Sequence, residues 1–380
     1  MRLSIVSLAF IFLIVFAVGC KEPYVLPAGA IANTNVLVVE GNINVGPDST
    51  IIHLSRSKTL TDTSVTTYET GAQIAVQTDA GASYPLQEIG NGSYGIASIP
   101  QGSGADKYRL TITTANNSQY YSDYTPFKKT PLIDSISWEQ HSDGVYIYAN
   151  THDDQNNTKF YKWDFSETWE YYAPFFSQYE VKNNTIVPRS TADLTFFCWH
   201  TIPSSNIVIE STKKLSNDVV YKKEIMFIPT SSEKIGYIYS ILVKQYALPE
   251  DGYNYWDNLS KNTEQLGSLF DAQPSQITGN IHSKTNASEQ VIGFITASSI
   301  QQKRIFIYKA QVNNWLYPPG PYSVCDTIHV TTADKMTSVL RGTYVPVDLV
   351  TPLGPYYAAP PECVDCRLKG GTTTKPIFWP

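Results

Sequence analysis

No stretch of this 380-residue chain is apolar for the roughly 20 residues that a membrane-spanning helix needs. The longest apolar run, Leu8 to Val18, is 11 residues, which suits the core of a secretory signal that is removed after export. Blocks of one charge are missing as well. The 28 Lys and Arg against 34 Asp and Glu give a net charge of -6, and loss of residues 1–19 removes only Arg2, leaving -7. A mildly acidic chain with scattered charges has no electrostatic footprint for nucleic acid and no polybasic membrane patch. Signatures of chemistry are scarce too. The histidines His53, His141, His152, His200, His282 and His329 form no His-Glu-x-x-His or other paired-ligand spacing, and no Gly-x-Ser-x-Gly elbow presents a nucleophile. No internal repeat or low-complexity block appears. These gaps exclude a transmembrane helix and a nucleic-acid binder, and they argue for a non-enzymatic protein with no resident cofactor or metal.

What is present begins at the N-terminus. Residues 1–19 read as a signal peptide, and Ala17-Val18-Gly19-Cys20 resembles the lipobox of bacterial lipoproteins, with Ala17 where Leu is usual. Cys20 would be acylated and become the new N-terminus, its covalent lipid holding the chain to a membrane through a tether over 20–35. The other four cysteines are Cys198, Cys325, Cys363 and Cys366. Outside the cytoplasm an even set suggests two disulfides, with three possible pairings. A bond within Cys363-Val364-Asp365-Cys366 would close a very small loop, so Cys363 or Cys366 is expected to bridge back to Cys325 or Cys198. A four-thiolate zinc site is the sharper alternative, but Cys198 and Cys325 stand alone and offer no second half-site.

The 361 residues after the signal exceed a usual single domain of roughly 100–200 residues and suggest two. Over 36–125, Leu37 to Gly41, Ile51 to Leu54, the alternating Ala72, Ile74 and Val76, and then Tyr94, Ile96, Tyr108, Leu110, Ile112 and Tyr120 read as about seven short strands. Turns at Asp79-Ala80-Gly81 and Gly90-Asn91-Gly92 separate them. The pattern predicts a mainly β protein opening with an antiparallel sandwich of the immunoglobulin or prealbumin type. Pro126 to Pro131 reads as a linker. A β-rich second domain follows over 132–316, with strands at Ile133 to Trp138, Val145 to Tyr148, Ile277 to Ile281, Val291 to Ile295 and Arg304 to Tyr308.

That second domain holds the densest aromatics of the chain, which carries 26 Tyr, 15 Phe and 7 Trp. Tyr161, Trp163 and Phe165 alternate as in a strand, while Tyr171 to Phe176, interrupted by Pro174, reads as a loop. Trp163, Trp169, Tyr171, Tyr172, Phe175 and Phe176 are the candidates for stacking on sugars or filling a partner's groove, against a plainer role as local core. Asp164, Glu167 and Glu170 could in principle form a glycosidase pair, if two of them face each other across a cleft at roughly 5–10 Å. His152-Asp153-Asp154-Gln155-Asn156-Asn157 is the densest oxygen-ligand run, but it lacks the glycine and terminal glutamate of an EF-hand and reads as a polar turn. A helix near 249–266 opens at Pro249, Glu250 and Asp251 and stops at Gly267, with Tyr253, Trp256 and Leu259 as its packing stripe. The tail over 317–380, rich in Pro, Gly and Cys, reads as an irregular, disulfide-tied extension, and its Tyr356 and Tyr357 are further contact candidates.

Taken in order, these segments resemble the lipoprotein family known as domain of unknown function 4249, found in Bacteroidota. The matching segments are Leu37-Val38-Val39-Glu40-Gly41, Gly71-Ala72, Gly92-Ser93-Tyr94, Pro131 to Ile136, Tyr161-Lys162-Trp163, Cys198-Trp199 and Tyr239 to Tyr246. The most specific are Phe270 to Ser275, Gly279-Asn280-Ile281 and Glu289 to Phe294, and Cys363 to Cys366 with Lys375-Pro376 closes the series. The resemblance implies an outer-membrane lipoprotein encoded near TonB-dependent transporters, with no settled activity and no catalytic residues to carry over. Lys21-Glu22 is similar to the short charged signal that directs such lipoproteins to the cell surface. The expectation is therefore a non-enzymatic accessory partner of a TonB-dependent outer-membrane barrel in nutrient capture or uptake. The alternatives are a free-standing carbohydrate- or peptide-binding surface lipoprotein, or a structural or adhesion component of the envelope.

Overall fold

A computed structural model describes residues 35–58, 62, 64, 66–101, 107–263, 278–315, 325–350 and 355–380. The signal segment, Cys20, Lys21-Glu22, Gly267 and the Phe270 to Ser275 motif lie outside these residues.

Apolar residues alternating at period two give strands with one buried face, and that pattern builds the first core. Leu37 and Val39, Ile52 and Leu54, Ile74 and Val76, and Tyr108, Leu110 and Ile112 all point inward. Their neighbours Glu40, Ile51 and His53 point outward. Each fully buried Leu, Ile or Val contributes roughly 1.5–3 kcal/mol relative to exposure. The mainly β expectation holds. Leu37–Gly41 pairs antiparallel with Thr50–Arg56, and Gln73–Thr78 with both Ser83–Gly90 and Lys107–Thr113.

Two boundaries differ from the sequence reading. Thr125–Lys128 is a strand rather than linker, paired with Tyr108 on one side and Ala297 on the other. The segment from Ile281 to Ser298, read as part of the second domain, returns to the first core. Ile281–Ser283 lies antiparallel to Gln119–Ser122, while Val291–Ile292 and Ala297–Ser298 run parallel to Leu37–Gly41 and Ile43–Asn44. Parallel pairing over so long a crossover leaves no local turn signal, so the sequence shows that these residues are apolar but not what they meet.

The returning segment is locked by close backbone approach. A Cβ on Gly279 would sit 1.8 Å from the Gly293 carbonyl oxygen, and one on Gly293, at φ 140°, would sit 2.1 Å from that of Val39. Between them the Asn280 side chain donates to the Ile295 carbonyl and accepts from the Ile295 N–H, each at 2.8 Å, as a strand neighbour would. Tyr120 OH donates to Glu289 Oε1 at 2.7 Å. The Gly279-Asn280-Ile281 and Glu289 to Phe294 motifs thus form a structural latch.

The second core lies between a three-stranded and a five-stranded antiparallel sheet. The first comprises Ile133–Gln140, Gly144–Asp153 and Asp218–Pro229. The second centres on Phe160–Tyr172, flanked by Phe197–Pro203 and Val208–Ser211 on one edge and by Ile238–Ala247, then Ile300–Tyr308, on the other. Most buried polar groups inside are paired, although Trp169 Nε1 has no hydrogen-bond partner among the described residues. Trp163 Nε1 donates to Gln245 Oε1 at 2.9 Å, and Gln245 Nε2 donates to Pro131 O and Thr151 Oγ1. Buried Glu167 accepts from Tyr239 OH and from Lys234 Nζ, both at 2.7 Å.

Helix α1, Glu250–Thr263, starts where the acidic pair and proline place it. Its buried face is Gly252 and Tyr255, one step round from the expected Tyr253, Trp256 and Leu259 stripe, because the helix wedges between the cores. Tyr255 packs on Phe294 and Tyr253 on Phe160, with ring centroids 5.3 and 5.0 Å apart. The tail is more regular than expected. From Cys325 onward it holds a three-stranded sheet of Ile328–His329, Tyr356–Ala359 and Val345–Leu349, and helix α2, Ala333–Leu340. Cys198–Cys366 and Cys325–Cys363 are its disulfides, so both C-terminal cysteines bridge back as read, and none is left for a four-thiolate site.

Candidate functional site

A cleft of about 710 Å³ opens where the two β units meet. The N-terminal unit contributes Glu40, Ile51, His53 and Phe294; the five-stranded sheet and α1 contribute Lys162, Asp164, Lys244, Tyr246, Trp256 and Ile300. Strand periodicity sets this layout. Along Phe160–Tyr172 the inward residues fill the core, so Lys162, Asp164 and Ser166 face outward into the cleft.

Lys162 and Asp164 form a short ion pair. The Lys162 ammonium also lies 5.2 Å from the Tyr246 ring centroid and 4.7 Å from that of Trp256, so two π faces and one carboxylate neutralise it. Burial, reinforced by the Asp164 charge and a hydrogen bond from its own OH to Asp164, pushes the Tyr246 phenol well above its ordinary range. The phenol therefore stays protonated at neutral pH and can donate to Asp164. Ser204 is fixed by Phe165, whose N–H donates to Ser204 Oγ at 3.0 Å and whose carbonyl accepts from the Ser204 N–H at 2.7 Å. Ser205 and Asn206 beyond it face the cleft mouth exposed.

The far end of the same strand face carries a second feature. Tyr172 stacks on Phe196 at 5.3 Å and meets Phe197 at 4.6 Å and Tyr237 at 3.8 Å. Phe176 abuts Phe196 at 5.4 Å. Phe176, Phe197 and Tyr237 are 42%, 40% and 37% exposed, an aromatic patch open to solvent. Glu170 braces it, accepting from Tyr172 OH at 2.5 Å and from Trp379 Nε1 at 3.0 Å. Arg304 stacks on Phe378 at 3.5 Å and donates to Ser240 Oγ, holding the C-terminal segment across the sheet.

The six aromatic candidates divide. Trp163, Trp169 and Tyr171 are core residues, with Tyr171 OH donating to the Cys366 carbonyl at 2.7 Å. Tyr171 and Tyr172 belong to the strand rather than to a loop. Phe175 is half-buried against the small core around Cys363. Tyr172 and Phe176 remain at the surface patch. Tyr356 and Tyr357 pack on Tyr179 and His329 and serve the tail's own packing. The partners Phe196, Phe197 and Tyr237 carry no sequence signal, since nothing local shows that their strands converge.

The carboxylates do not form a catalytic pair. Glu167 points into the core, and Asp164 and Glu170 lie six strand residues apart, roughly 20 Å, well beyond the spacing glycoside hydrolysis requires. Asp153 closes a polar turn. Burial raises its pKa, but donations from the N–H groups of Thr158, Gln155 and Asn157 outweigh that and hold it below the usual value. Among the described residues no group of three His, Cys, Asp or Glu is placed to hold a metal ion.

His152 is a half-exposed imidazole paired with Asp134. Its Nδ1 lies 2.8 Å from Asp134 Oδ2, and the hydrogen bond with that carboxylate, with its charge, raises the imidazole pKa above 6.5. While Asp134 stays ionised, the pair's stabilisation is complete below pH 6.5 and is lost as pH rises through the raised folded-state value. An NMR titration should place the His152 midpoint above 6.5 and return it toward 6.5 in Asp134→Asn. An unchanged midpoint in that variant would sink the assignment.

The family profile of domain of unknown function 4249 matches residues 21–304, well over half the chain. The protein belongs to that family. No curated protein matches it. Among solved structures, a trypsin-activated alpha-2-macroglobulin from Escherichia coli is similar at 10% identity and a TM-score of 0.20, over 60% of this chain and 15% of that one. The BSP domain of a biofilm-associated protein is similar at 8% identity and a TM-score of 0.14, over 75% of this chain and 62% of that one. The chain thus spans less than two thirds of either structure.

Proposed function

We propose that this protein is a non-enzymatic, surface-exposed outer-membrane lipoprotein that docks on a TonB-dependent barrel and assists nutrient capture or uptake. The observation that carries this reading is the aromatic patch in which Phe176, Phe197 and Tyr237 are solvent-exposed around half-buried Tyr172, on a braced strand end. Rigid, exposed aromatics are the residues around which protein interfaces concentrate their binding energy. Acylation of Cys20 would confine protein and barrel to one plane and raise their effective concentration, so a modest patch suffices.

Affinity purification of the tagged, lipidated protein from detergent-solubilised outer membranes tests the proposal. A TonB-dependent barrel is expected in near-stoichiometric amount; a lipidated monomer recovered alone would count against docking. The cleft supports a second reading, a ligand-binding module that needs no barrel.

A further inference from the structure

We infer that the cleft between the two β units binds short peptides with both termini free, taking an apolar zwitterion end to end. Five side chains that can carry charge near neutral pH line it: Glu40, His53, Lys162, Asp164 and Lys244. Three are already satisfied within the protein. Lys162 and Asp164 neutralise each other, and His53 Nδ1 is hydrogen-bonded to Ser93 Oγ at 2.9 Å.

Glu40 and Lys244 remain, and neither forms a salt bridge with a described residue. They stand on different walls. Glu40 is exposed at the end of Leu37–Gly41 in the N-terminal unit, and Lys244 is half-buried in Ile238–Ala247 of the five-stranded sheet. Lys244 sits in register with Asp164, whose carboxylate is already occupied by Lys162 and the Tyr246 phenol.

The same lining carries apolar side chains, Ile51, which is 40% exposed, with Phe294, Trp256 and Ile300, beside the polar Asn42, Ser49, Ser166 and Thr296. Ser205 and Asn206 supply hydrogen-bonding groups at the mouth. An unpaired anion on one wall, an unpaired cation on the other and apolar side chains in the same lining match the ammonium, the carboxylate and the apolar body of a short peptide. The 710 Å³ volume lies within the range of small-ligand sites. A neutral glycan would gain no charge-assisted contact from either group, and a simple anion would meet Glu40 as repulsion. The inference is independent of docking to a barrel.

The test uses the full mature protein in nanodiscs, dialysed against a mixed library of free tripeptides built from Leu, Phe, Val, Ala and Ser. The retained sequences are read by mass spectrometry, and the best-retained peptide is measured by calorimetry as the free, N-acetylated and C-amidated forms. Each cap is expected to weaken binding about tenfold, the loss of one charge-assisted contact. Glu40→Gln should weaken the free peptide by the same factor yet leave the acetylated peptide unaffected, and Lys244→Met should behave likewise toward the amide. The proposal is overturned if no tripeptide is retained, if caps change affinity less than about twofold, or if Glu40→Gln weakens the acetylated form equally. Because the caps alter only the ligand, the result stands even where a variant folds poorly. Peptide binding without barrel recovery would separate this inference from the docking proposal.

Discussion

Replacing Cys198 and Cys366 together with alanine should lower the unfolding free energy by about 4 kcal/mol, near the upper end for loss of a native disulfide. The bond joins positions 168 residues apart and ties the C-terminal segment to the Phe197–Pro203 strand. Much depends on that tie. Tyr171 OH bonds the Cys366 carbonyl, Trp199 and Thr372 exchange backbone hydrogen bonds at 2.9 Å, and Trp379 reaches Glu170 under the aromatic patch. The Cys325–Cys363 bond spans 38 residues, and loop-closure entropy makes its loss roughly 1 kcal/mol milder. Guanidinium unfolding of the two double variants decides the order. A larger loss from the shorter loop would show that closure entropy does not govern this tail.

Trp163→Ala should cost about 4 kcal/mol, whereas Phe176→Ala should stay within about 1 kcal/mol. Trp163 is completely buried, stacks beside Tyr161 at 5.7 Å and anchors the Gln245 network, so truncation leaves both a cavity and an orphaned buried amide oxygen. Phe176 loses surface contacts alone. The contrast separates core from surface among aromatics that one sequence segment presents as equals. A Trp163→Ala variant that keeps its Tm would refute the core assignment.

The structure explains why the sequence was legible in some places and not in others. Period-two runs such as Ile74 and Val76 or Tyr108, Leu110 and Ile112 declare strands and their buried face, because alternation is a local property. The N-terminus of α1 was equally plain from Pro249, Glu250 and Asp251, while its buried face was not, since Gly252 and Tyr255 meet Phe294 and Thr296 from another unit. The return of Ile281–Ser283 and Val291–Ile292 to the first core was hidden for the same reason: pairing partners lie more than 150 residues away in sequence. Of the candidate surface, Tyr172 and Phe176 were visible in an aromatic cluster, but Phe197 and Tyr237 join them only through sheet register. Glu40 and Lys244 are ordinary charges until folding leaves them facing one cleft.

The most direct test of the account compares barrel recovery with the native protein and with a Phe176→Ser, Phe197→Ser variant in one outer-membrane purification. Both substitutions fall on exposed rings, so expression and Tm should be preserved. The native protein is expected to bring down a TonB-dependent barrel and the variant to recover at least tenfold less of it. Equal recovery by the two proteins, or no barrel with either, would contradict docking through this patch.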